Sequence, residues 1–138
     1  MWWKKQKEQN MAFTQVTTTE LPIPLAAHAK EEAIRNKNRL YKEYEGKLFN
    51  YCVVEINNAI KIGRLSSSIP LAEKLIELDE NNYFNISASA EILILVKKHL
   101  ESYGYRVYIS AGNQFLVSWE NPKELSFDEL WTIAQEGL

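Results

Sequence analysis

The chain has 138 residues, a formal net charge of −2 and a sequence pI near 5.8. That length fits one domain with one modest apolar core, and the balanced charge argues against a broad electrostatic surface for nucleic acid. The lone Cys52 excludes an internal disulfide, and no apolar run approaches the roughly 20 residues of a membrane span.

Residues 1–10 begin Met1-Trp2-Trp3-Lys4-Lys5, basic but with no apolar signal-peptide core behind them. Tryptophan beside lysine suits a membrane interface, yet the stretch is too short and too poor in apolar residues to anchor stably. Translation starting at Met11 is the plainer account. Lys7-Glu8 is encodable by a purine-rich stretch like a bacterial ribosome-binding site, which makes residues 1–10 an upstream extension.

Residues 11–25 read as extended. Thr17, Thr18 and Thr19 are β-branched, and Pro22 and Pro24 disfavour helix at the residues before them. Alternate prolines suggest a polyproline-like course. Phe13, Val16, Leu21, Ile23 and Leu25 give this arm, residues 1–25 in all, more apolar surface than a solvated tail carries. The arm lies either along its own domain or along a neighbour.

Residues 26–138 read as a single α+β domain. From Ala26 to Ile62 there is no proline, and an unbroken helix there would run about 55 Å. Its first part, 26–47, is polar with a thin stripe through Ile34, Tyr41, Tyr44 and Leu48, so it should project or pack lightly. Its second part, 48–62, is apolar on most sides and should be core. Gly46 is placed to kink or break the two apart, and Gly63 to end the helix in left-handed conformation.

Residues 64–69 alternate Leu65, Ser67 and Ile69 against polar neighbours, a weak third strand that Pro70 ends. Leu71, Leu75 and Leu78 mark a short helix, and 79–82 a polar, solvated turn. A second core helix should start at Ser87 or Ser89, carry Ile92, Leu93, Leu95, Val96 and Leu100 inward, and close at Gly104. A hairpin over 105–119 follows, with Tyr105, Val107 and Ile109 on one face of its first strand. Phe115, Val117 and Trp119 share a face of the next, and the turn spans 110–113. A lone hairpin is marginal in water, so the two core helices must cover this small antiparallel sheet. Ser126 should cap a C-terminal helix bearing Phe127, Leu130, Trp131 and Ile133.

Chemistry is sparse. His28, Cys52 and His99 are scattered without metal-ligand spacing, and His99 falls beside the apolar face of its helix, a structural position. Cys52 with His99 would make a catalytic pair only if two core helices brought them together, and a buried thiol is inert. Glu77, Asp79 and Glu80 lack the alternation and glycine of a calcium loop. No phosphate-binding glycine loop occurs, so no cofactor, metal or catalytic residue is expected. Arg106 and Tyr108 share a sheet face, a faint nucleic-acid signal that an exposed edge explains equally well. The features that resist a bland reading are apolar and aromatic: Phe13, Val16, Leu21, Ile23, Leu25, Ile34, Tyr41 and Tyr44 form a candidate protein interface.

The segments "NAIKIGR" (58–64), "LESYGYRVYI" (100–109) and "FLVSWE" (115–120) together resemble small α+β proteins encoded by tailed bacteriophages. In those, a helix ending in glycine precedes a second helix, a Gly-Tyr-x-Val strand and a strand closing in Ser-Trp. The resemblance covers about residues 50–120 and brings no catalytic residues. It implies a phage protein acting in the virion or the host cytoplasm. The expectation is a non-enzymatic structural or accessory virion protein that joins copies of itself or other virion proteins through its arm and long helix. The alternative is a soluble host-takeover or anti-defence protein that sequesters a small ligand or blocks a host protein.

Overall fold

The computed structural model describes residues 22–110 and 114–136. The chain is α+β, with helices α1 (Ala26–Lys61), α2 (Leu71–Leu78), α3 (Ile86–Glu101) and α4 (Phe127–Glu136). Its strands are β1 (Ser66–Ile69), β2 (Arg106–Ile109) and β3 (Phe115–Ser118). Two compact units divide the chain, residues 1–39 and 40–138. The tertiary contacts below lie within the second.

β3 is the central strand, antiparallel to both neighbours, in the order β1-β3-β2. Ser67, Val117 and Val107 lie in one cross-strand row, as do Ser68, Leu116 and Tyr108. Alternation then sends Val107, Phe115 and Val117 inward and leaves Arg106, Tyr108 and Leu116 outside. The weak strand is therefore real and pairs with the second arm of the hairpin. Beyond the strands, Trp119 sets its ring edge-on to Tyr105, 6.1 Å between centroids. Residues 111–113 of the expected turn lie outside the described residues.

The core joins Leu48, Cys52 and Ile56 of α1, Leu71 and Leu75 of α2, and Ile92, Leu93, Val96 and Leu100 of α3 to the inner sheet face. α1 contributes Tyr44, Leu48, Cys52, Ile56 and Ala59, a ladder of four-residue steps closed by a three-residue one. This corrects two expectations. Tyr44 belongs to the core, with Phe84 edge-on at 4.9 Å, because it stands one turn before Leu48 on the same stripe. Residues 48–62 are not buried all round: Val54, Ile60 and Ile62 are exposed, since the body packs on one side of the helix only. Gly46 breaks nothing. A mid-helix glycine costs about 1 kcal/mol, which the surrounding residues absorb.

α1 ends as expected. Gly63 takes φ 79°, Arg64 N–H donates to Ala59 C=O at 2.9 Å and Gly63 N–H to Ile60 C=O at 3.0 Å, a Schellman closure. The cap of α3, by contrast, is Asn85, whose side chain accepts from Ala88 N–H at 2.8 Å, ahead of both expected serines, Ser87 and Ser89. Leu95, expected inward, is exposed at the margin of the stripe that buries Ile92 and Val96. Asp79 is buried in what was expected to be a solvated turn. Its carboxylate accepts from the backbone N–H of Tyr83 (2.8 Å) and Phe84 (3.0 Å) and so pins the loop into α3.

Candidate functional site

Of the eight expected interface residues, Phe13, Val16 and Leu21 lie outside the described residues. Ile23, Leu25 and Ile34 are exposed at 73, 64 and 48%. Tyr41 is half-buried, its ring 5.8 Å from Phe84, and Tyr44 is core. Tyr44 is therefore core rather than surface, and burial lifts the hydroxyl pKa of both tyrosines above its ordinary 10.0.

α4 is a second uncovered surface that the sequence reading left out of that set. Its start is closed by a reciprocal capping box: Ser126 N–H donates to Glu129 Oε1 (2.7 Å) and Glu129 N–H to Ser126 Oγ (3.1 Å). Accepting from the Ser126 backbone holds the Glu129 carboxyl below its ordinary range. No residue of α4 is buried, and Phe127, Leu130 and Trp131 stand exposed along one side. The signal was present in the sequence as an amphipathic face. What it lacked was any indication that the core would not use that face.

Two concave features flank α1. The first is an apolar cleft of about 240 Å³ lined by Phe49, Val53 and Ile56 of α1 and by Leu100, Tyr103 and Tyr105. Beside it sits a polar cluster. His99 Nδ1 meets Glu45 Oε2 at 2.8 Å, His99 Nε2 approaches Glu136 of α4 at 3.7 Å, and the imidazole stacks on Phe49 at 3.7 Å. Tyr103, which lines the cleft, donates its hydroxyl to Glu136 at 2.9 Å, and that bond raises the Tyr103 pKa. Both His99 ring nitrogens thus face carboxylates rather than Cys52. Cys52 is fully buried, and desolvation pushes its thiol from 9.0 to about 12, with no nucleophile to offer. His28 faces only Glu32, one turn on, at the surface. Among the described residues no group of three or more histidine, cysteine and acidic side chains is set to hold a metal ion.

The second is a groove of about 450 Å³ between the last turns of α1 and β1. Glu55, Asn58, Ala59 and Ile62 form its helix wall, and Arg64, Ser66, Ser67 and Ser68 its strand wall. β1 is an edge strand. The Trp119 N–H bond to Leu65 C=O (3.0 Å) fixes which residues face β3. By antiparallel alternation Ser67 and Ile69 bond inward, while the backbone groups of Ser66 and Ser68 point to the open edge.

Comparison with protein-family models, with curated proteins and with solved structures gives no match to this chain. Among the described residues no helix is long and apolar enough to cross a membrane.

Proposed function

We propose that the chain is a non-enzymatic phage structural or accessory virion protein, whose work is assembly with copies of itself or with other particle proteins. The observation that carries this reading is large apolar side chains left exposed. Ile23, Leu25 and Ile34 are exposed toward the front, and α4 presents Phe127, Leu130 and Trp131 while burying nothing. A ten-residue helix is marginal alone in water, and large apolar residues grouped on one face mark an interaction surface. The phage setting rests on the resemblance carried by residues 58–64, 100–109 and 115–120. The test is molar mass by sedimentation together with recovery of the protein from purified particles of infected cells. Assembly predicts a concentration-dependent oligomer or co-purification with particles. A monomer at 100 μM, absent from particles, ends the reading.

The apolar cleft supports a second reading, a binding protein that sequesters a small ligand or blocks a host protein. At about 240 Å³ it falls below the roughly 300–1,000 Å³ of drug-sized sites, so it fits one ring or one partner side chain better than a nucleotide. Thermal shifts against small aromatic ligands test it, because a ligand of the native state raises its stability.

A further inference from the structure

We propose that His99 is a proton-operated latch: as the imidazolium it ties the C-terminal end of α4 to the body, and on losing its proton it loosens that end. The latch concerns α4 itself and does not depend on the assembly reading. Three helices meet at the ring. His99 stands in the last turn of α3, its Nδ1 2.8 Å from Glu45 Oε2 of α1 and its Nε2 3.7 Å from Glu136 Oε1 of α4. Phe49 of α1 stacks on the imidazole at 3.7 Å between centroids and 10° between planes, which holds the ring in this orientation. Besides the two carboxylates, Tyr103 faces the ring from the turn after α3, and its hydroxyl donates to the same Glu136 oxygen at 2.9 Å.

Proton counting decides what this arrangement does. An imidazolium has two N–H donors and a neutral imidazole only one, so only the cation serves both carboxylates. The neutral ring keeps its proton on Nδ1, against the shorter contact to Glu45, and turns a bare lone pair on Nε2 toward Glu136. Attraction to α4 then becomes repulsion, while the bond to α1 survives.

The change falls on α4 because little else holds that helix. None of its described residues is buried, and Ile133 is half-buried. Its last turn has no basic residue, so the imidazolium supplies from α3 the cation that the negative end of a helix favours. The Tyr103 bond remains after deprotonation, which loosens the end of α4 without detaching it. Histidine is the side chain whose charge ordinarily changes between about pH 5 and 8. Seating of α4 is therefore fullest at the acid end of that range and is lost as pH rises through it. Phe127, Leu130 and Trp131 ride on α4, so the latch sets how firmly that exposed apolar face is held.

The test follows amide hydrogen exchange of α4 in the full-length chain by NMR at about pH 5.5 and 8.5, corrected for the intrinsic pH dependence of exchange. Protection over residues 131–136 should fall about threefold, the scale of a part-exposed charge pair. Its midpoint should match the titration seen at the His99 ring protons. Glu136→Gln keeps an acceptor for Tyr103 but no charge, and it should abolish the step. His99→Gln should do the same, and if that variant misfolds Glu136→Gln still decides, since it alters an exposed position. His28→Gln, at the other histidine, should keep the wild-type profile. Ser126→Ala frays the opposite end of α4 and should speed exchange at both pH values while the step stays. A wild-type profile flat across this range overturns the latch. So does a step that persists in Glu136→Gln, or one whose midpoint departs from the titration of His99.

Discussion

α1 and α4 begin from similar sequence signals and end in different situations. Both are amphipathic, and both carry a well-formed terminus, α1 through the Schellman closure at Gly63 and α4 through the Ser126–Glu129 box. α1 buries Tyr44, Leu48, Cys52, Ile56 and Ala59, while α4 buries nothing. Local chemistry decides that a helix forms and where it stops. Only the rest of the chain decides whether its apolar side is consumed in the core or left for something else.

That contrast can be pressed with substitutions of decreasing effect. Leu48→Ala empties a fully buried site on α1 and should cost about 2–5 kcal/mol in urea unfolding, against less than about 0.5 for Trp131→Ala on α4. Equal losses would mean that α4 is covered in the solution species, and the contrast would belong to the isolated chain only. Asp79→Ala comes next. It leaves the part-buried N–H groups of Tyr83 and Phe84 without their acceptor and should cost about 1–2 kcal/mol.

Alkaline pH separates the two helices through protons. Burial raises the pKa of Cys52, Tyr44 and Tyr51, all on α1, so the folded chain holds protons that the unfolded chain releases above about pH 9. The stability is whole below that pH and declines as pH rises toward the folded values. Cys52 alone should account for a fall of about 1.5 kcal/mol between pH 9 and 10.5, and Cys52→Ala should flatten that part of the curve. An unchanged slope in the variant would place Cys52 in solvent. The smallest effect is Ser126→Ala. Losing the cap should speed amide exchange across α4 about fivefold while the urea midpoint stays put. A shifted midpoint would show that α4 unfolds with the core and is not a separate, weakly held element.

Much of the fold was legible because it depends on local rules. The α2 span matches Leu71, Leu75 and Leu78, Gly63 takes the left-handed conformation, and Ser126 caps as expected. The alternation in 64–69 and 105–119 gave the three strands. What was not legible needed the third dimension. Tyr44 read as surface among charged neighbours, although its one-turn step to Leu48 carried the signal. Val54, Ile60 and Ile62 read as core, because composition cannot tell which side of a helix meets the body. Asn85 caps α3 where Ser87 or Ser89 was expected, because all three are good caps and composition does not rank them. Of the candidate interface, Ile23, Leu25 and Ile34 are exposed as read, whereas α4 and the serine-lined groove went unmarked. Neither has a residue pattern that distinguishes an uncovered surface from a covered one.

The tight turn at Gly63 has a consequence for any guest in that groove. The last turns of α1 and the first residues of β1 are joined by only a few residues locked in hydrogen-bonded geometry, so the two walls are hinged shut at one end. Such a slot has little freedom to lose when filled. The ordering cost of docking would then fall on the guest alone, and stiffening that guest beforehand should tighten its grip.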